Sequence, residues 1–570
     1  LLALVSAGLY AQKKPMYQTP YETGNGNQTA TYAETIAYFE KLDNNFETIK
    51  MVEMGPTDYG LPLHIVIFDP AKSFNFKDIH KDKAVLLLNN GIHPGEPDGI
   101  DATMLLFRDF AENKIPIPKN TIIATIPIYN IGGALNRNST SRTNQNGPEE
   151  YGFRGNARNY DLNRDFIKSD SKNAHAFAEI FHWLNLDLLI DNHVSNGADY
   201  QYVLTHLFTQ HNKMGGELGD YLHTSFMPQL EDSLQLKKWD ITPYVNVFNQ
   251  VPEIGFTQFM DSPRYSTGYA TLFNTLGMMV ETHMLKPYKQ RVEGTYELMK
   301  TFISIAENDA EKIKLLRKNA AEKYKIGSYY PISWEVDSSK TSTLNFKGFE
   351  GKMVQSKITD AERLKYFRDK PFTKDVTYYN NFKATDSVKI PSAYIIPKGY
   401  WNVIELLKLN NIEFSEIKND STISAEVYHI KSFETVKNPF EGHYLHYRTE
   451  VSKNTETISV KKGDILVKTQ QPGIRYLLET LEPSATDSFF NWNFFDAILQ
   501  QKEGFSPYVW EDMAEDFLNE NPEIKKEFEN KKRIEPDFAK NWYLQLDWIH
   551  KQSPYYEKSH LLYPIVRVGG

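Results

Sequence analysis

Between about residues 80 and 320 the chain alternates two hydrophobic patterns. Short continuous apolar runs, Val85-Leu86-Leu87-Leu88, Ile122 to Ile128, Leu188-Leu189-Ile190-Asp191 and Gly277-Met278-Met279-Val280-Glu281, read as buried strands. Residues 98 to 112 and 171 to 185 read as helices, the second with Phe177, Ile180, Phe181 and Leu184 on one face. A Lys/Glu-rich stretch from about 287 to 322 predicts one long closing helix. Strands alternating with helices predict an α/β domain with a mixed, largely parallel central sheet flanked by helices.

After Gly327 the texture changes. Shorter alternating runs at 332–336, 424–430, 457–460 and 465–468 predict strands, with one helix near 401–409, and a mainly helical, aromatic-rich tail follows. The expected organisation is a first domain over 12–325, a smaller β-rich accessory domain over 326–472 and a tail over 473–570. The apolar run of residues 1–11 ends in small residues before Gln12-Lys13-Lys14 and reads as the rear of a secretory signal. It predicts a periplasmic or secreted protein. No later window has the roughly 18 to 20 apolar residues of a membrane span.

Composition narrows the chemistry. The 570 residues carry 64 basic and 73 acidic side chains, a net charge of -9, which gives no basic footprint for nucleic acid. There is no cysteine, which excludes disulfides, thiolate nucleophiles and Cys-ligated metals. Any metal has to be held by His, Asp or Glu. Neither a Gly-x-Ser-x-Gly elbow nor a His-Glu-x-x-His helix is present.

Four polar islands sit at predicted strand ends, where α/β sheets bind ligands. The first, Asn90-Gly-Ile-His93-Pro-Gly-Glu96, offers an imidazole and a carboxylate to one ion, a donor set zinc accepts. The second runs from Arg154 through Arg158, Asp161, Asn163 and Arg164 to Phe166. Its arginines match a carboxylate's two oxygens, or belong to a salt-bridged surface loop. The third, Asp191-Asn-His193, offers a third metal ligand, and the fourth ends a strand on Glu281, either paired with an arginine or acting as a general base. A further pair, His443-x-x-His446, reads as two exposed strand residues rather than as a second metal site.

Together these islands resemble the zinc carboxypeptidase family, over about residues 30 to 320. The resemblance implies one zinc per chain held by His93, Glu96 and His193, with Asp161 hydrogen-bonded to a ligating histidine. It implies Glu281 as general base, Arg154 polarising the scissile carbonyl, and Asn163 and Arg164, with Arg158 nearby, holding a peptide's free C-terminal carboxylate. Tyr265 is the expected counterpart of the family's active-site tyrosine, with Tyr269 as the alternative. Competing expectations are a zinc amidohydrolase acting on peptidoglycan peptides or N-acyl amino acids, and a non-catalytic binding protein on the same scaffold.

Overall fold

The computed structural model describes residues 17–75 and 82–569, so the signal-like run of residues 1–11 lies outside the described residues. Among the described residues, nine strands precede residue 284: β1 (Ile49–Pro56), β2 (Pro62–Phe68), β3 (Ala84–Asn89), β4 (Thr121–Ile126), β5 (Leu188–Ser195), β6 (Leu204–Phe208), β7 (Ile241–Pro243), β8 (Phe256–Thr257) and β9 (Leu276–His283). All but β8 form one mixed sheet in the order β1-β2-β4-β3-β5-β9-β6-β7. At its centre β4, β3, β5 and β9 run parallel, and antiparallel pairs flank them. The sheet is mixed, as expected, with its parallel pairing concentrated around the strands that read as continuous apolar runs.

Those runs are apolar throughout because both faces of the sheet are covered. Alternate residues part between two cores: Val85, Leu87, Ile122 and Ala124 face one, while Leu86, Leu88, Ile123 and Ile190 face the other. Helices Tyr32–Asn45, Asp98–Ala111 and Tyr288–Asn308 cover the second face. The first is covered by helix Lys172–Leu184, which starts on the Ser171 cap and stops where Asn185 turns left-handed at φ 45°. The predicted helix over 287–322 is instead two, Tyr288–Asn308 and Ala310–Ala321, which meet at Asp309.

The first core does not end with the α/β part. Tyr330, Ile332, Tyr394, Leu477, Trp492 and Tyr563 pack into the same cluster as Val85 and Phe177. One long hairpin, Ser342–Gln355 with Glu362–Tyr379, falls where no strand was expected, and another, Ser421–Thr435 with His446–Val460, takes in the runs at 424–430 and 457–460, while those at 332–336 and 465–468 form strands Tyr329–Val336 and Ile465–Lys468. The first returns to the α/β part through a parallel pairing of Tyr378 with Phe256 on β8. Helices Pro507–Glu520, Pro522–Ile534 and Trp542–Gln552 form a core of their own around Trp510, Phe528 and Phe538. Strand Val566–Val568 then inserts into the sheet that holds Ala393–Ile396.

Candidate metal centre

The ends of β3, β5 and β9 converge on one cleft. After β3 the chain turns through Gly91, at φ 64°, a left-handed conformation that favours glycine. Asn90 ties this turn to the sheet, donating to Thr125 Oγ1 at 2.9 Å and accepting from Asn192 Nδ2 at 2.8 Å. Glu96 N–H then donates to His93 O at 2.8 Å, which brings both side chains to one side of the turn. His193 stands near the end of β5 and is the register partner of Glu281 on β9.

His93, Glu96 and His193 are all buried, and one donor atom from each lies within 4.8 Å of the others. Both imidazoles are oriented by carboxylates on their outer nitrogens: His93 Nε2 lies 2.8 Å from Asp161 Oδ1, and His193 Nε2 lies 3.0 Å from Asp191 Oδ2. Both Nδ1 atoms therefore face Glu96 Oε2, at 3.4 Å from His93 and 3.2 Å from His193. His93 Nδ1 is a buried nitrogen with no hydrogen-bond partner, a costly arrangement unless the atom binds something else. Two nitrogens and a carboxylate oxygen, each histidine held by a second carboxylate, fit one zinc ion with a position left open.

Electrostatics agree with that donor set. Burial alone would raise the Glu96 carboxyl, but Arg142 and the two histidines outweigh it and hold it well below the usual range. Burial likewise opposes ionisation of Asp161, and His93, Arg154 and Arg164 overcome it, so Asp161 stays anionic. The opposite holds at Glu281. Burial pushes its carboxyl up to about 7, against the pull of His193 and with a further push from Glu96.

The cleft has a volume of about 330 Å³, and Arg142, Arg154, Asn163, Arg164, Tyr265 and Glu281 line it together with the triad. Arg154 reaches Asp161 Oδ2 at 2.9 Å and Glu96 Oε1 at 3.4 Å. Arg164 lies with its guanidinium 4.6 Å from the Tyr265 ring centre. Asn163 Oδ1 accepts from Ser266 N–H at 3.3 Å, and Ser266 Oγ donates to Asp191 Oδ2 at 2.5 Å, so Asn163 and His193 share one hydrogen-bonded chain.

Arg158, Tyr269 and the His443–His446 pair lie elsewhere than the sequence led us to expect. Arg158 is not brought into the cleft: its guanidinium donates to Asp170 O at 2.9 Å and lies 4.0 Å from Asp58. Tyr269 is buried away from it, donating to Asn410 Oδ1 at 2.6 Å. His443 and His446 are not an exposed pair either, since they contact Asp170 and Asp496 respectively. A larger cavity, about 570 Å³ beside Leu186, Phe273 and Gly473, opens at the other ends of β5 and β9 and contains none of the triad.

Sequence reading passed over Arg142, whose Nη1 lies 2.7 Å from Glu96 Oε1, and Asp191 as the partner of His193. Asp191 carries a legible signal, two residues before His193 on one strand and therefore on the same face. Arg142 lies in a turn-rich stretch with no periodicity to place it.

No protein-family model and no curated protein matches this chain. Among solved structures, a metallo-carboxypeptidase from Burkholderia cenocepacia aligns at 13% identity with a TM-score of 0.37, over 49% of this chain and 70% of that one. A carboxypeptidase A from Helicoverpa armigera aligns at 15% identity with a TM-score of 0.39, over 50% and 75%. A metallo-carboxypeptidase from Pseudomonas aeruginosa, in complex with (2-guanidinoethylmercapto)succinic acid, aligns at 13% identity with a TM-score of 0.36, over 49% and 68%.

Proposed function

We propose that this chain is a zinc-dependent peptidase that removes residues from the C-terminus of peptides. The observation that carries the reading is one cleft lined at once by a His-Glu-His triad, a carboxyl raised to about 7 and an Asn-Arg pair. When bound, a zinc ion supplies a Lewis acid and acidifies a water molecule. Of the two carboxyls lining the cleft, Glu96 belongs to the triad and is tied to Arg142, which leaves Glu281 to accept a proton from water and pass it to the departing amine. Arg142 and Arg154 reach in from the same side, against Glu96 Oε1, and are the donors available to a developing oxyanion. Asn163 and Arg164 hold the terminal carboxylate, with the guanidinium pre-oriented over Tyr265. The apolar run of residues 1–11 is the ground for proposing a periplasmic or extracellular setting.

The test compares peptides with a free and an amidated C-terminus. Free-acid peptides should be turned over and amidated ones poorly. Arg164→Ala should cost about 2 kcal/mol in kcat/KM on free-acid peptides, the low end for a charged pair because Arg164 is partly exposed. Equal turnover of both peptide classes would reject exopeptidase action and favour a zinc amidohydrolase.

A further inference from the structure

The loop that carries the carboxylate clamp is braced from the other half of the chain. Glu441 Oε2 accepts the backbone N–H of Asp161 at 2.8 Å, across 280 residues of sequence. Asp161 is the hub of the site: its Oδ1 lies on His93 Nε2 and accepts Asn163 N–H at 2.9 Å, while its Oδ2 takes Arg154. With its side chain holding a metal-ligating histidine, a clamp residue and an arginine, Asp161 is positioned by its backbone. Glu441 is what its backbone N–H holds on to.

The turn bearing Glu441 points the same way. Phe440 and His443 pair through both backbone hydrogen bonds, at 2.7 and 3.0 Å, around Glu441 at φ 50° and Gly442 at φ 80°. Two positive φ values in a two-residue turn define a geometry in which the first position favours Asn, Asp or Gly. Glutamate there breaks the local rule, and a local rule broken without local gain marks a position under another demand. Neighbouring contacts fix where the turn docks. A Cβ on Gly442 would come within 2.9 Å of Tyr160 Oη, and His443 Nε2 lies 2.7 Å from Asp170, which is also bonded to the buried Lys168.

We infer that Glu441 is a positioning residue through which the C-terminal half sets Asp161, and through it His93, for metal binding. The inference rests on the zinc reading above. Glutamate has the reach to cap Asp161 N–H from this turn, whereas Asn suits the turn but is one methylene shorter.

Zinc affinity of the full chain, measured by competition with a chelator, and thermal stability of the metal-free chain test this together. Glu441→Asn should melt no lower than the parent yet bind zinc about tenfold more weakly, the low end for residues that orient a ligand from outside the coordination sphere. Glu441→Gln keeps the acceptor and the reach and should retain most of the affinity. Parent-like zinc affinity in Glu441→Asn, or equal weakening in the Asn and Gln variants, overturns the proposal. His93→Ala is the control for the underlying reading: it should lose zinc outright, and retention there would defeat the zinc assignment and the inference with it. Amide exchange reads the bond directly. Asp161 N–H should be protected in the parent and exchange faster in Glu441→Asn, and unprotected exchange in the parent also overturns the proposal.

Discussion

His193 and Glu281 are register partners on the adjacent parallel strands β5 and β9, and they project into the same cleft. Strand pairing alone thus sets a metal ligand beside the raised carboxyl. Nothing on a loop has to move for the two to meet.

Glu281→Gln keeps shape and removes the carboxylate proposed as the base. Turnover should fall by about 10² to 10⁴, with zinc content and melting temperature kept. The Glu281 carboxyl, raised to about 7 in the metal-free chain, must be ionised to accept a proton, so activity rises with pH. A bound cation favours the anion and moves this acid limb to or below pH 7. A pH profile of kcat/KM in the parent checks the limb. More than about a tenth of parental turnover in the variant would remove Glu281 from the role of base.

Arg264, next to Tyr265, is gripped from the C-terminal half by Asp487, at 2.8 Å from Nε and 2.6 Å from Nη2, under the ring of Trp492. Asp487 is fully buried, so Asp487→Ala strands a cation and should cost about 3 to 5 kcal/mol in denaturant unfolding. The double variant Arg264→Met/Asp487→Leu, which removes both charges, should recover most of that loss. A cost below about 1 kcal/mol would place the pair among solvated surface bridges.

Asp101 lies in the second core, accepting from Tyr288 Oη and from Ala30 N–H, and burial pushes its carboxyl up to about 6. A folded pKa above the unfolded value means that the native state holds the proton more tightly. This contribution is fully present below pH 3.8 and is lost as pH rises through 6, by roughly 3 kcal/mol. The stability difference between parent and Asp101→Asn, measured by denaturation at pH 4 and pH 7, should therefore change by about that amount in favour of the parent at low pH. A difference independent of pH would mean that Asp101 is ionised throughout.

What the sequence determined by itself is local. Val85–Leu88 and Leu188–Ile190 announce buried strands because a strand covered on both faces has no polar positions to spare. His93, Glu96, His193 and Glu281 were legible because they interrupt or end such runs, where an unexplained polar side chain is costly. Arg142 reaches Glu96 from 46 residues away, and Glu441 reaches Asp161 from 280 away. No periodicity links such pairs, and only the packing of the C-terminal half against the first core brings the second pair together. Tertiary packing within the α/β part decides which arginine enters the cleft. Arg154 and Arg158 are four residues apart and chemically alike, but Asp161 and Glu96 draw the first inward while Asp170 and Asp58 hold the second outside. Composition and spacing cannot separate two equal cations. The position of their oxygen partners in three dimensions does.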